Sequence, residues 1–291
     1  MVEQNLTGPY NRSSDQEVPD YANLRGGNAN IPAGRVAVDE MSWPLVGGIA
    51  EHRFLRFTYY DGEGEPRVLD FHGLATDRTT GVPRPIGVPD KDNIAIWPVI
   101  PSEDSDDAHD ARHLRRMGTV SVAESQRMMA GIAVGGRAIN DQNIEYRAVQ
   151  TDFVFYDPTT NSNAANRTLL ELAGYDPDTV RGGWAPGFTG RLMPPTDGDH
   201  GRMSIDGVRT RIAGFSDEDI RSNVAPALTS LLNSTPASGD VMNFDNRGMD
   251  EAMRRLGNID ETEDAIKDYI GDMTPATADR APAPGRAPGL H

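Results

Sequence analysis

The stretch Asp157-Pro158-Thr159-Thr160-Asn161-Ser162-Asn163-Ala164-Ala165-Asn166, running on through Arg167-Thr168-Leu169-Leu170-Glu171-Leu172-Ala173-Gly174, decides how this chain is read. A β-rich run from Ile144 to Tyr156 stops at Asp-Pro, and two threonines and an asparagine offer N-cap oxygens. A helix is expected to follow and to end where Gly174 takes the left-handed C′ position. Ala165, Leu169, Leu172 and Ala173 fall at i, i+4, i+7 and i+8, a one-sided apolar stripe for a core. Ser162 and Asn163 then sit in the first turn, where free backbone N–H groups and the positive end of the helix dipole favour a developing anion.

Working outward, the 291 residues, 37% of them hydrophobic, suffice for one good-sized core or two small ones. No apolar run approaches the ~20 residues that cross a bilayer. The polar segment from Met1 to Tyr10 lacks a basic n-region and an apolar h-region, so the expected location is cytoplasmic by default, with signal-independent export still open. There are no cysteines, which excludes a disulfide scaffold, thiolate metal sites and a cysteine nucleophile. The net charge of −16, with Lys91 and Lys267 the two lysines, argues against nucleic acid as a partner.

Upstream lies a hairpin. His52 to Tyr60 reads as a strand, Asp61-Gly62-Glu63-Gly64 as a turn, and Arg67 to His72 as the return strand. Alternation places Leu55, Phe57, Tyr59, Leu69 and Phe71 on one face. His52, Phe54, Arg56, Thr58, Val68, Asp70 and His72 share the other, provided the loop holds an odd number of residues. Arg35 to Asp39 is a short strand, and Gly73 to Pro101 a long connection containing a strand at Ile94 to Ile100, with Pro98 marking an edge or bulge. Glu103 to Arg116 reads as a charged helix or loop. A helix capped by Ser121 and Glu124 is expected to end at Gly135-Gly136. Met203 to Arg211 suggests a hairpin around Asp206-Gly207. A helix capped at Ser216 carries Ile220, Val224, Leu228, Leu231 and Leu232 at helical spacing, with Pro226 as a possible kink. Two short helices are expected between Gly248 and Ile270.

The chemistry narrows by elimination. His109 and His113 have the i, i+4 spacing of a metal-binding helix but lack the intervening glutamate of a zincin, and the acidic run from Ser102 to Asp110 lacks the fixed glycine of an EF-hand. The paired glycines match no phosphate loop, and His200 reads as a surface residue. No metal and no cofactor are therefore expected. His52, His72 and Ser162 remain, a base, an orienting group and a hydroxyl at a helix N-terminus. Each also has a plain structural role open to it, as a strand end, a turn partner and a helix cap.

The order of these parts, His-Arg-Phe-Leu-Arg-Phe, then Leu-Asp-Phe-His-Gly-Leu-Ala-Thr-Asp, then Asn161-Ser162-Asn163 with Leu169 to Gly174, resembles a circularly permuted papain-like domain of the NlpC/P60-related kind, over roughly Val46 to Pro195. The resemblance implies that Ser162 stands at the cysteine's place, His52 at the base's, and His72 or Asp70 at that of the orienting residue. Asn161 and Asn163 would then serve the oxyanion or position the substrate. It further implies a peptide or amide substrate, including the peptide of the bacterial cell wall. Serine's higher pKa closes off the thiolate–imidazolium pair. The expected fold is α+β, a small antiparallel sheet packed on helices in a permuted papain-like architecture. Its expected divisions are a disordered arm (1–35), the papain-like domain (36–200), a helical C-terminal extension (201–273) and a disordered tail (274–291). The expected function is a hydrolase or amidase with a Ser-His-His site. The alternatives are a catalytically silent binding or effector module and, third, a structural particle protein.

Overall fold

The computed structural model describes residues 31–45, 50–84, 87–88, 90–101, 111–147, 160–177, 188–196, 203–234 and 259–273. Among these residues six strands precede five helices: β1 (Arg35–Leu45), β2 (Ala50–Tyr60), β3 (Pro66–Asp77), β4 (Pro83–Arg84), β5 (Asp92–Val99) and β6 (Arg112–Ser121), then α1 (Val122–Asn140), α2 (Ser162–Leu172), α3 (Ile205–Ala213), α4 (Asp217–Asn233) and α5 (Ile259–Asp272). The segregation of strands from helices and the wholly antiparallel pairing make this an α+β fold.

The hairpin sets the register. Tyr60 pairs with Pro66 and Leu55 with Phe71, so five residues close the loop and the two histidines point to the same side. Asp61 holds that loop by accepting the backbone N–H groups of Glu63 and Glu65, and Gly64 supplies the positive φ of 86°. Asp70 and Phe71 pair with β2 and also with β5, so those strands take opposite edges of β3. The strand order is therefore β6-β1-β2-β3-β5, with β4 continuing the β2 side of β3.

Both faces of this sheet are buried. The apolar face predicted from alternation, Leu55, Phe57, Tyr59, Leu69 and Phe71 with Val36, Val38, Ile94 and Ile96, belongs to the main core that includes α1, α2 and α4. The more polar face is not solvated. Met41, Trp43, Phe54, Leu74, Ala95, Trp97 and Val99 form a second apolar cluster there with Leu232 of α4.

Several expectations change. The run from Arg112 is strand β6, not helix or loop, because its successive residues pair with β1, with register shifts after Val38 and Glu40. His113 therefore lies in a strand and contacts Asp39, while His109 lies outside the described residues. The segment after Gly73 is mostly sheet, since β3 runs on to Asp77. Helix α1 passes through Gly135-Gly136. A Cβ on Gly135 would sit 2.6 Å from Leu172, and one on Gly136 3.0 Å from Leu231 and 3.1 Å from Ile96, so these glycines permit close packing rather than ending the helix. Met203 to Arg211 forms no hairpin: Ser204 caps α3 by accepting the Gly207 N–H. Helix α4 is as expected, its five spaced apolar residues all buried. A single helix, α5, lies in the described part of 248–270. The expected disordered arm (1–35) is overturned at its end, where Ile31 is buried and Arg35 opens β1; residues 1–30, the expected tail (274–291), most of the Ile144 to Tyr156 run, and His200 lie outside the described residues.

Candidate active site

Helix α2 begins as predicted. The Asn161 side chain accepts the backbone N–H groups of Asn163 and Ala164, and Gly174 ends the helix at φ 93°. The expected one-sided stripe is only part of its burial, for every residue from Ser162 to Leu172 is buried. Polar members of the helix are therefore paired: Asn166 donates to Glu40, whose carboxylate also meets Arg53 and Arg115.

The N-terminus of α2 is tied to the strand that carries His52. Strands β2 and β3 pair only from Leu55 onward, so on the β3 side, away from β1, the backbone at Glu51 and Arg53 meets no strand. The Asn163 carboxamide fills the gap, accepting the Arg53 N–H at 3.2 Å and donating to the Glu51 carbonyl at 3.0 Å. Across the gap Gly73 gives the helix room, since a Cβ there would lie 2.1 Å from the Ala165 Cβ. Asn163 thus brackets His52 on both sides.

His52 and His72 come together on the second face. His52 Nε2 and His72 Nδ1 are 3.1 Å apart, and the rings are nearly coplanar at 7°. Trp43 stacks on both, with centroids at 4.7 and 4.8 Å, and Phe54 stacks on His72 at 4.3 Å. Behind them Arg56 binds Asp70 with two bonds, 2.7 Å to Oδ1 and 2.6 Å to Oδ2. Asp70 Oδ2 stands 3.9 Å from His72 Nε2, too far for a hydrogen bond but close for a charge.

Burial dominates the electrostatics of this group. It pushes the His52 pKa down to about 3, and it holds His72 well below the usual histidine range, aided by His52 and the Arg56 charge. The Asp70 carboxyl is raised by burial despite its Arg56 partner. Both imidazoles are neutral near pH 7. His52 Nδ1 is buried and has no hydrogen-bond partner.

Ser162 is set apart from this pair. Its side chain meets the buried Tyr146 phenol, a contact outweighed there by burial, which raises the phenol pKa. Helix α2 packs on the face bearing Gly73 and Glu40, whereas alternation sends His52 and His72 to the other. Among the described residues no hydrogen bond joins Ser162 to His52. Asn161 and Asn163 spend their side chains on the cap and the β2 edge, and the Asn163 N–H is taken by Asn161, so in this arrangement that donor does not await an oxyanion.

Sequence reading missed Trp43 and Tyr146. Trp43 lies in β1 opposite His52, a pairing legible only once the strand is extended past Asp39. Tyr146 falls in the run read as β-rich from Ile144 to Tyr156, where no motif sets it apart from its neighbours. An open groove of about 320 Å³ lies at the far end of α2, between Tyr175, Pro177 and Ile205, away from the histidines. Among the described residues no group of three or more His, Cys, Asp or Glu is placed to hold a metal ion, and no helix is long and apolar enough to cross a membrane. No protein-family model, curated protein or solved structure matches this chain.

Proposed function

We propose that the chain is a hydrolase of the papain-like type acting on a peptide or amide bond, with Ser162 as nucleophile, His52 as base and His72 orienting it. The observation that carries this reading is the His52–His72 bond together with the unpartnered Nδ1 of His52. A buried ring nitrogen without a partner costs about 1–3 kcal/mol, and such departures from a satisfied core gather at functional sites. The Asn163 bracket adds support, because it ties the helix start that carries Ser162 to the strand that carries His52. This mechanism requires more than a side-chain rotation: the start of α2 must shift so that Ser162 leaves Tyr146 and reaches Nδ1 of His52, which faces the other side of the sheet in the arrangement described. As the serine oxygen attacks the carbonyl carbon, Nδ1 takes the proton, and the imidazolium gives it to the departing amine. Water then repeats the sequence on the acyl-enzyme.

A catalytically silent binding module is the second reading. It is favoured by the Ser162–Tyr146 contact and by burial of His52, which makes it a weak base. Hydrolysis of peptide and cell-wall amides by the wild type, Ser162→Ala, His52→Ala and Ser162→Cys separates the two. The hydrolase reading expects wild-type turnover that either alanine variant reduces by at least ~10³-fold, with the double variant no worse than either single one. Full activity in Ser162→Ala overturns the site. An inactive wild type, whether or not Ser162→Cys gains turnover, supports the silent module.

A further inference from the structure

The His52–His72 contact admits one proton between the rings, and both rings are neutral, so two arrangements are possible. In the first, His52 Nε2–H donates to His72 Nδ1. His72 then carries its proton on Nε2, facing the Asp70 carboxylate at 3.9 Å, and His52 Nδ1 is a bare lone pair. In the second, His72 Nδ1–H donates to His52 Nε2. That turns a lone pair of His72 towards the carboxylate and leaves an N–H on His52 Nδ1 buried without an acceptor. Electrostatics at Asp70 favours the first arrangement, and an orphaned buried donor is the rarer and costlier defect.

We propose that Asp70, clamped by Arg56, is a positioning residue that fixes the tautomer of His72 and, through it, leaves Nδ1 of His52 as a hydrogen-bond acceptor. Arg56 has a defined part in this. By engaging both carboxylate oxygens it holds a buried Asp70 in place and opposes the rise in pKa that burial causes, favouring a negative charge rather than a carboxyl proton facing His72. The acceptor so presented suits a proton donor such as a hydroxyl. The inference rests on the hydrolase reading for its purpose, but the tautomer is measured without substrate, so a chain that shows no turnover leaves it fully testable.

The test is the 15N spectrum of the full-length protein labelled at its histidine rings, with His52 assigned by the loss of its signals in His52→Gln. The expected result is a neutral His52 with hydrogen on Nε2 and an unprotonated Nδ1. In the double variant Arg56→Met/Asp70→Leu, which removes the ion pair and leaves no lone buried charge, both tautomers of His52 should be populated. A wild-type His52 protonated on Nδ1 overturns the proposal, as does an unchanged tautomer in a folded double variant. Should the double variant not fold, the wild-type spectrum still decides for or against the assigned tautomer.

Discussion

At the scale of the residue, the buried histidines make a prediction about pH. His52 has a folded pKa of about 3 against 6.5 when unfolded, so between those values the unfolded chain binds more protons. Stability is therefore unaffected by this group above about pH 6.5 and falls as pH drops through the window, by up to about 1.4 kcal/mol per pH unit. His72, lowered in the same direction, adds a loss of the same sign. Asp70 works the other way: its raised pKa makes the native state hold a proton longer than the unfolded one above pH 3.8, offsetting part of the loss. Urea unfolding of the wild type and His52→Phe from pH 4 to 8 isolates the first contribution. The difference in stability should change with pH below 6.5 and be flat above it; a flat difference throughout would show that His52 titrates normally in the folded protein.

At the scale of the element, helix α2 depends on a glycine in a neighbouring strand. Gly73→Ala would place its Cβ 2.1 Å from that of Ala165. The backbone or the helix must shift, at a cost of roughly 3 kcal/mol. Adding Ala165→Gly should recover part of the loss, because the new methyl then enters the space vacated, less about 1 kcal/mol for a glycine within a helix. Chemical denaturation of the two variants checks both steps, and equal stability of the single and double variants would refute the packing account. The same pair illustrates what was legible in the sequence. Local signals gave the start of α2, the Gly174 end, the faces of the β2–β3 hairpin and the stripe of α4, because capping and alternation act over a few residues. Gly73 and Gly135-Gly136 misled, because a glycine that permits a close approach reads like one that ends an element until the neighbour is known. The pairing of His52 with His72 followed from register. The separation of Ser162 did not, because which face of the sheet receives α2 is decided by long-range packing. The β6 strand was hidden for a similar reason: its arginines point at Asp39 and Glu40 of β1, and charge taken alone suggests solvent.

At the scale of the whole molecule, the sheet is enclosed on both faces while its outer strand β5 still has an edge to satisfy. Asn140, at the end of α1, meets that edge directly. Its carboxamide accepts the Ile96 N–H at 2.7 Å and donates to the Ile96 carbonyl at 3.1 Å, as a neighbouring strand would. Farther along, Ile94 donates to the Ile144 carbonyl and Tyr146 to that of Asp92. The strand so covered reads Ile94-Ala95-Ile96-Trp97, apolar and free of charge, the composition that recruits strands from other molecules when its edge is bare. Asn140 is thus a guard against self-association as well as an end to a helix. Asn140→Ala should leave monomer secondary structure intact by circular dichroism yet raise light scattering on mild heating, and unaltered scattering would show that the chain keeps its molecules apart by other means. A single carboxamide, placed one residue wide against the middle of an apolar strand, occupies the donor and the acceptor that another molecule's backbone would otherwise take.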